Sequence, residues 1–117
     1  MSDGSPSPEV MQSLHVGLWM IDHDGVSTYV NDRLAELLGL PAAEILGRPL
    51  LDHFHPADHE VLVAHIRSRR HGTRDHYDVR LQRSDGTTLP VRISGSPVIV
   101  DGAFAGSVAA ITDLSDL

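Results

Sequence analysis

The chain has 117 residues, 41% of them apolar and 21% charged, a balance that fits one globular domain with a packed core rather than a disordered segment. All nine bases are arginine, and sixteen acids leave a net charge of −7, a field that repels phosphate backbones and argues against direct nucleic-acid binding. Cysteine is absent, which removes disulfides, cysteine–zinc centres and thiol nucleophiles. No apolar run approaches the roughly 20 residues of a membrane span, and the polar start is no signal peptide, so a soluble cytoplasmic module is expected.

Residues 1–8 read as a flexible leader rich in Ser, Pro and Gly. A short helix is expected over 9–15, opened by Ser7-Pro8-Glu9, with Val10, Met11 and Leu14 on one face and Gly17 beyond its end. Asp24-Gly25, Asp85-Gly86 and Asp101-Gly102 each lie between runs that read as strands, and Asp-Gly suits the positive φ of tight hairpins. They define strands 1 and 2 within 18–31 and strands 3 to 5 within 75–112. Tyr77, Val79 and Leu81 alternate with polar neighbours, as do Leu89, Val91 and Ile93, so the sheet has one dry face. On strand 1 either Trp19 and Ile21 or Leu18 and Met20 point outward. Gly95 and Pro97 are expected to mark a bulge in strand 4.

Residues 32–72 form a helical crossover. One helix is capped by Asn31 or Asp32 and stopped by Gly39; a turn follows from Pro41 to Gly47, and another from Leu50 to Phe54. A longer helix starts near Pro56 and runs to Gly72, with Asp58 and Glu60 at its positive end and Arg67, Arg69 and Arg70 at its negative end. The prediction is α+β: a five-stranded antiparallel sheet whose single apolar face is covered by the crossover helices.

With these elements in place, the chain resembles a PAS domain, the sensor module of bacterial kinases, cyclases and transcription regulators. The resemblance is carried by Gly17–Asp22 with Asp24-Gly25, by Tyr29-Val-Asn31 with Leu37-Leu38-Gly39, by Glu44-Ile-Leu-Gly-Arg48, by His55-Pro-Ala-Asp58, by Arg83-Ser-Asp-Gly86 with Pro90-Val91, and by Ile111-Thr-Asp-Leu-Ser115. It spans roughly 9–115 and implies strand order 2-1-5-4-3. It also implies an interior pocket for a small molecule and a relay through the last strand into a linker beginning at 113–117. The covalently attached output domain would be that of a larger regulator, most often a sensor histidine kinase. Light-sensing relatives carry an Asn-Cys-Arg-Phe-Leu-Gln motif where this chain has Gly47-Arg-Pro-Leu-Leu-Asp52, so no flavin adduct can form.

The expected pocket residues are Leu38, Leu51, Phe54, Leu62, His65, Ile66, Tyr77, Val79, Val91, Ile93 and Val108. The resemblance implies relay through Asp113, paired with a base near the hairpin between strands 3 and 4, where Arg83 stands. A homodimer is expected through Val10, Met11, Leu14 and Trp19, and a ligand-free interaction module is the competing role. His53, His55 and His59 are the weak metal candidates, outweighed by solvated or capping roles. His65 and His59 could serve as haem ligands on the longest helix, but their surroundings match poorly to the oxygen-sensing subgroup, and the cofactor is left open. Catalysis is not expected: Asp22-His23-Asp24 near Ser27 is explained by a turn, and Asp75 and Asp78 are expected to face water. The arginines at 67, 69, 70 and 74 form the only basic cluster, which helix-end complementarity largely explains.

Overall fold

A sheet with one apolar face needs a cover, and the crossover between the second and third strands supplies it. The computed structural model describes residues 16–115. The predicted leading helix, with Val10, Met11 and Leu14, and the last two residues lie outside the described residues. Among the described residues the strands are β1 (Gly17–Asp22), β2 (Ser27–Val30), β3 (Asp75–Gln82), β4 (Thr88–Val100) and β5 (Ala103–Asp113), and the α-helices are α1 (Asp32–Leu38) and α2 (His59–Arg69). Short 3-10 turns at Ala42–Glu44, Leu50–His53 and Pro56–Asp58 complete the crossover. The five strands form one antiparallel sheet in the order β2-β1-β5-β4-β3, as expected.

Asn31 ties the start of β1 to the start of α1. Its Oδ1 accepts from the backbone N–H of Leu18 at 2.9 Å and caps α1 by accepting from Leu34 N–H at 3.0 Å, while its Nδ2 donates to the Val16 carbonyl at 2.9 Å. Gly39 then stops α1 in the left-handed region, at φ 72°. Both sheet edges are occupied by crossover backbone: residues 47–50 bond to Gly25 and Ser27 beside β2, and Phe54 and His55 pair with Leu81 and Arg80 of β3. Exposed edges invite pairing with other chains, and this arrangement blunts both.

Parity on β1 is settled in favour of the larger pair. Trp19 and Ile21 are buried with Leu34, Leu37, Leu38, Ile45, Phe54, Leu62, Val79, Leu81, Val91, Ile93 and Ile111, whereas Leu18 and Met20 are half-buried on the opposite face. The hairpins differ from one another. Only Asp101-Gly102 has positive φ at both central residues, 51° and 79°. The Asp24-Gly25 and Asp85-Gly86 turns use positive φ at glycine alone and are held by Asp22 and Asp85 carboxylates accepting backbone N–H groups two residues on. The bulge expected at Gly95 and Pro97 lies instead between Val98 and Ile99. Pro97 is tolerated because β3 ends its pairing at Gly95, leaving β4 with one neighbour beyond that point.

Replacing Asn31 with Ala removes a helix cap and two ties between β1 and its surroundings. The expected loss is about 2 kcal/mol in urea unfolding, and Asn31→Asp, which keeps the acceptor but not the Nδ2 donor, should lose about half of that.

Candidate functional site

Along β5 the inward set is Ser107, Ala109 and Ile111, because Ile111 pairs with Ile93 and Ala109 with Gly95, both on the inner face of β4. Small side chains at 107, 109 and 95 leave a hollow in the middle of the sheet. It is an interior cavity of about 10 Å³, lined by Trp19, Ile21, Leu50, Phe54, Arg69, Tyr77, Ile93, Ser107, Ala109 and Ile111. That volume is at the threshold for one water molecule. Trp19 forms one wall, stacked on Phe54 with ring centres 5.4 Å apart, and its Nε1–H donates to the buried Ser27 hydroxyl at 2.9 Å.

Arg69, at the last turn of α2, points into the domain and is 1% exposed. The basic cluster read from the sequence therefore loses a member to the interior. Its Nη2 donates to Asp75 Oδ1 at 3.2 Å and to the Tyr77 hydroxyl at 3.1 Å. Gly95 is what admits it: a Cβ at position 95 would fall within the guanidinium. Asp75, expected to face water, is turned inward. Its other oxygen takes His65 Nδ1 at 2.9 Å, so His65 carries the proton there, and the imidazole stacks flat on Tyr77 with ring centres 3.7 Å apart. Burial pushes the Tyr77 phenol up, against the nearby Arg69 charge. The Arg69 Nε and the Ser107 hydroxyl, both on cavity residues, are buried without a hydrogen-bond partner.

Of the expected pocket residues, Phe54, Tyr77 and Ile93 line the cavity. Leu38, Leu62, Val79 and Val91 are core residues away from it, and Leu51, His65 and Ile66 pack around the core without reaching it. Val108 faces the other side of the sheet, since β5 turns its smaller alternating set inward. Trp19 belongs to the interior rather than to a dimer surface. An outer groove of about 330 Å³ lies between His23, Asp24, Gly25, Pro49, Leu50, Leu51, Val63, Ile66, Arg67 and Arg70, and Leu50 borders both spaces. Arg70 reaches across the groove to the His23 carbonyl and sits over Phe104.

The metal candidates do not converge. His53 is buried beside Trp19, His55 Nδ1 accepts from Ala57 N–H at 3.1 Å, and His59 Nε2 bonds to the Phe54 carbonyl at 3.1 Å. Among the described residues no group of three or more His, Asp or Glu is placed to hold a metal ion. Asp58 clamps α2 to β3 by accepting from Arg80 Nε at 3.1 Å and Nη2 at 2.9 Å, which holds its carboxyl below the usual range.

Asp113 ends β5 on the inner-face register of Val91. Its Oδ1 accepts from Ser115 N–H at 2.8 Å rather than forming an ion pair with Arg83. Burial works against its charge, but the Ser115 bond and the neighbouring Arg33 and Arg83 charges hold its carboxyl low. Leu114 N–H continues the chain's attachment by donating to the Pro90 carbonyl.

The sequence profile of the PAS fold matches residues 8–113. A curated relative, the C4-dicarboxylate transport sensor protein DctS of Rhodobacter capsulatus, is 29% identical over 108 residues, covering 89% of this chain; the chain spans only 16% of that protein. Two solved structures share the architecture. One is a PAS domain from Colwellia psychrerythraea, with a TM-score of 0.83 at 16% identity, covering 93% of this chain and 94% of that one. The other is the N-terminal domain of a diguanylate cyclase with PAS/PAC sensor from Marinobacter aquaeolei, with a TM-score of 0.73 at 23% identity and coverage of 86% and 95%.

Two substitutions test the site's electrostatics. Asp75→Asn leaves the Arg69 charge buried without its counter-ion and should cost about 3 kcal/mol in urea unfolding. Burial lowers the pKa of His53 below its ordinary 6.5, so the unfolded chain takes up a proton first as pH falls. The stability this depressed group contributes is complete above about pH 6.5 and is lost below it. Unfolding at about pH 7.5 and about pH 5.5 should show a smaller acid loss in His53→Phe than in the wild type.

Proposed function

The chain belongs to the PAS family, and from that premise we propose that it senses a small molecule in the interior cavity and reports occupancy through β5. A PAS module is sensory and is not catalytic by itself. The observation that carries the reading is that the strand leading to the C-terminus also supplies part of the cavity wall: Ser107, Ala109 and Ile111 touch the hollow, and Asp113 closes the same strand two residues later. A guest that presses on 107–111 changes the pairing of β5 with β1 and β4, and thereby the geometry at 113–115.

In this reading residues 9–117 are one PAS unit behind a short leader, and the linker after Asp113 leads to an output domain of a larger cytoplasmic signalling protein, a histidine kinase being the favoured type. Among the described residues no helix is long and apolar enough to cross a membrane. Relay depends on Asp113, held low by its surroundings and steered by the charges of Arg33 and Arg83. A homodimer would form through the outer face, where Leu18 and Met20 of β1 lie beside Val108 and Ala110 of β5 in register, together with Val10, Met11 and Leu14 of the preceding segment.

The test is a thermal-shift screen of small metabolites on the wild-type chain and on Ala109→Leu, whose larger side chain fills the hollow. Compounds that bind inside should raise the melting temperature of the wild type by several degrees and leave Ala109→Leu unmoved. Amide exchange at 111–115 should change with the same compounds. Hits that stabilise both proteins equally would place binding elsewhere and overturn the reading.

A further inference from the structure

Two of the polar groups on the cavity residues are left unpaired, whereas the Tyr77 hydroxyl and the Trp19 Nε1–H both have partners. Arg69 donates through Nη2 to Asp75 and Tyr77, yet its Nε–H is buried with no acceptor. Ser107, 1% exposed on the same cavity, has a hydroxyl with no partner. Leaving a buried polar group unpaired costs stability, so a molecule able to pair both groups on this hollow would recover that cost on binding.

The charge balance narrows that molecule's chemistry. Asp75 already neutralises Arg69 at 3.2 Å, and both side chains are almost wholly buried. A carboxylate or phosphate would bring an uncompensated negative charge into the interior of a chain whose net charge is −7. A neutral oxygen would not: it accepts from Arg69 Nε–H and exchanges a hydrogen bond with Ser107 Oγ. The rest of the guest would lie against Trp19, Phe54, Ile93 and Ile111.

We propose that the cavity takes a small neutral molecule with one acceptor oxygen and an apolar remainder, of the ketone or alcohol class, its oxygen held between Arg69 Nε and Ser107 Oγ. The proposal rests on the reading of the cavity as a binding site. Few heavy atoms fit, because the hollow must open from about 10 Å³ and its other walls are packed core.

Three probes of similar size test this on the 117-residue chain: butanone, propanoate and benzene. Butanone should raise the melting temperature with concentration, and propanoate should not. Ser107→Ala and Arg69→Lys should each weaken butanone binding roughly fivefold to tenfold, the loss of one hydrogen bond. The Ser107→Ala protein without probe should melt about 3 °C higher than the wild type, since it sheds an unpaired buried hydroxyl. A purely structural serine would give the opposite sign. Stronger stabilisation by propanoate overturns the neutral class. Benzene binding as well as butanone, with both variants unaffected, overturns the polar assignment and leaves the sensing cavity standing. No stabilisation by any probe in the wild type or in Ser107→Ala overturns the proposal and counts against the cavity as a binding site as well.

Discussion

The interior of this domain is arranged around one buried charge. Arg69 leaves the end of α2 and enters the space above β4, where only a glycine could lie beneath it. An arginine in that position demands a counter-ion and acceptors, and Asp75 and Tyr77 provide them from the strand next door. His65, one turn earlier on α2, completes the second oxygen of Asp75 and stacks on the same tyrosine. Four polar side chains thus fix how the longest helix sits on the sheet, in a region where apolar packing alone would allow it to slide. The register of β3 on β4, with Asp75 opposite Gly95, brings acid and glycine to the same end.

That arrangement also shapes the hollow. The guanidinium roofs one side, the Trp19–Phe54 stack another, and the floor is the run of small residues on β5. A strand made of Ser, Ala and Gly at its centre is a poor contributor to core packing, and β5 compensates by pairing with β4 along nearly its whole length and with β1 over residues 106–111. Backbone hydrogen bonds hold it in place where side chains do not.

The hairpins, the helical crossover, a cap at Asn31 or Asp32 and the stop at Gly39 were legible in the sequence because each follows from local chemistry: turn residues, caps and alternation; the strand order came from the family resemblance. The β5 wall of the cavity was not legible, for a reason of parity. On β5 the residues at 104, 106, 108 and 110 look as apolar as those at 105, 107, 109 and 111, and Val108 is larger than either inward neighbour. Hydrophobicity therefore chose the wrong face, whereas the hollow requires small residues inside. Arg69 was hidden by the opposite effect, since a base at a helix C-terminus is already accounted for by the helix dipole. The available signal was Gly95, which falls on the inward beat after Val91 and Ile93; a glycine in that place marks something large lying across it. Reading Gly95 as a bulge used its flexibility when its missing Cβ was the point.

Leu50 stands between the outer groove and the inner hollow, and its backbone is held by a hydrogen bond to Gly25 while the neighbouring Pro49 bridges to Val26. Anything passing from one space to the other by that route must swing this leucine aside without much help from its backbone. For a guest of the kind proposed, passage would be timed by side-chain rotation and loop breathing rather than by diffusion. A door of that kind slows departure as much as arrival, so occupancy would average a fluctuating supply instead of tracking it moment to moment.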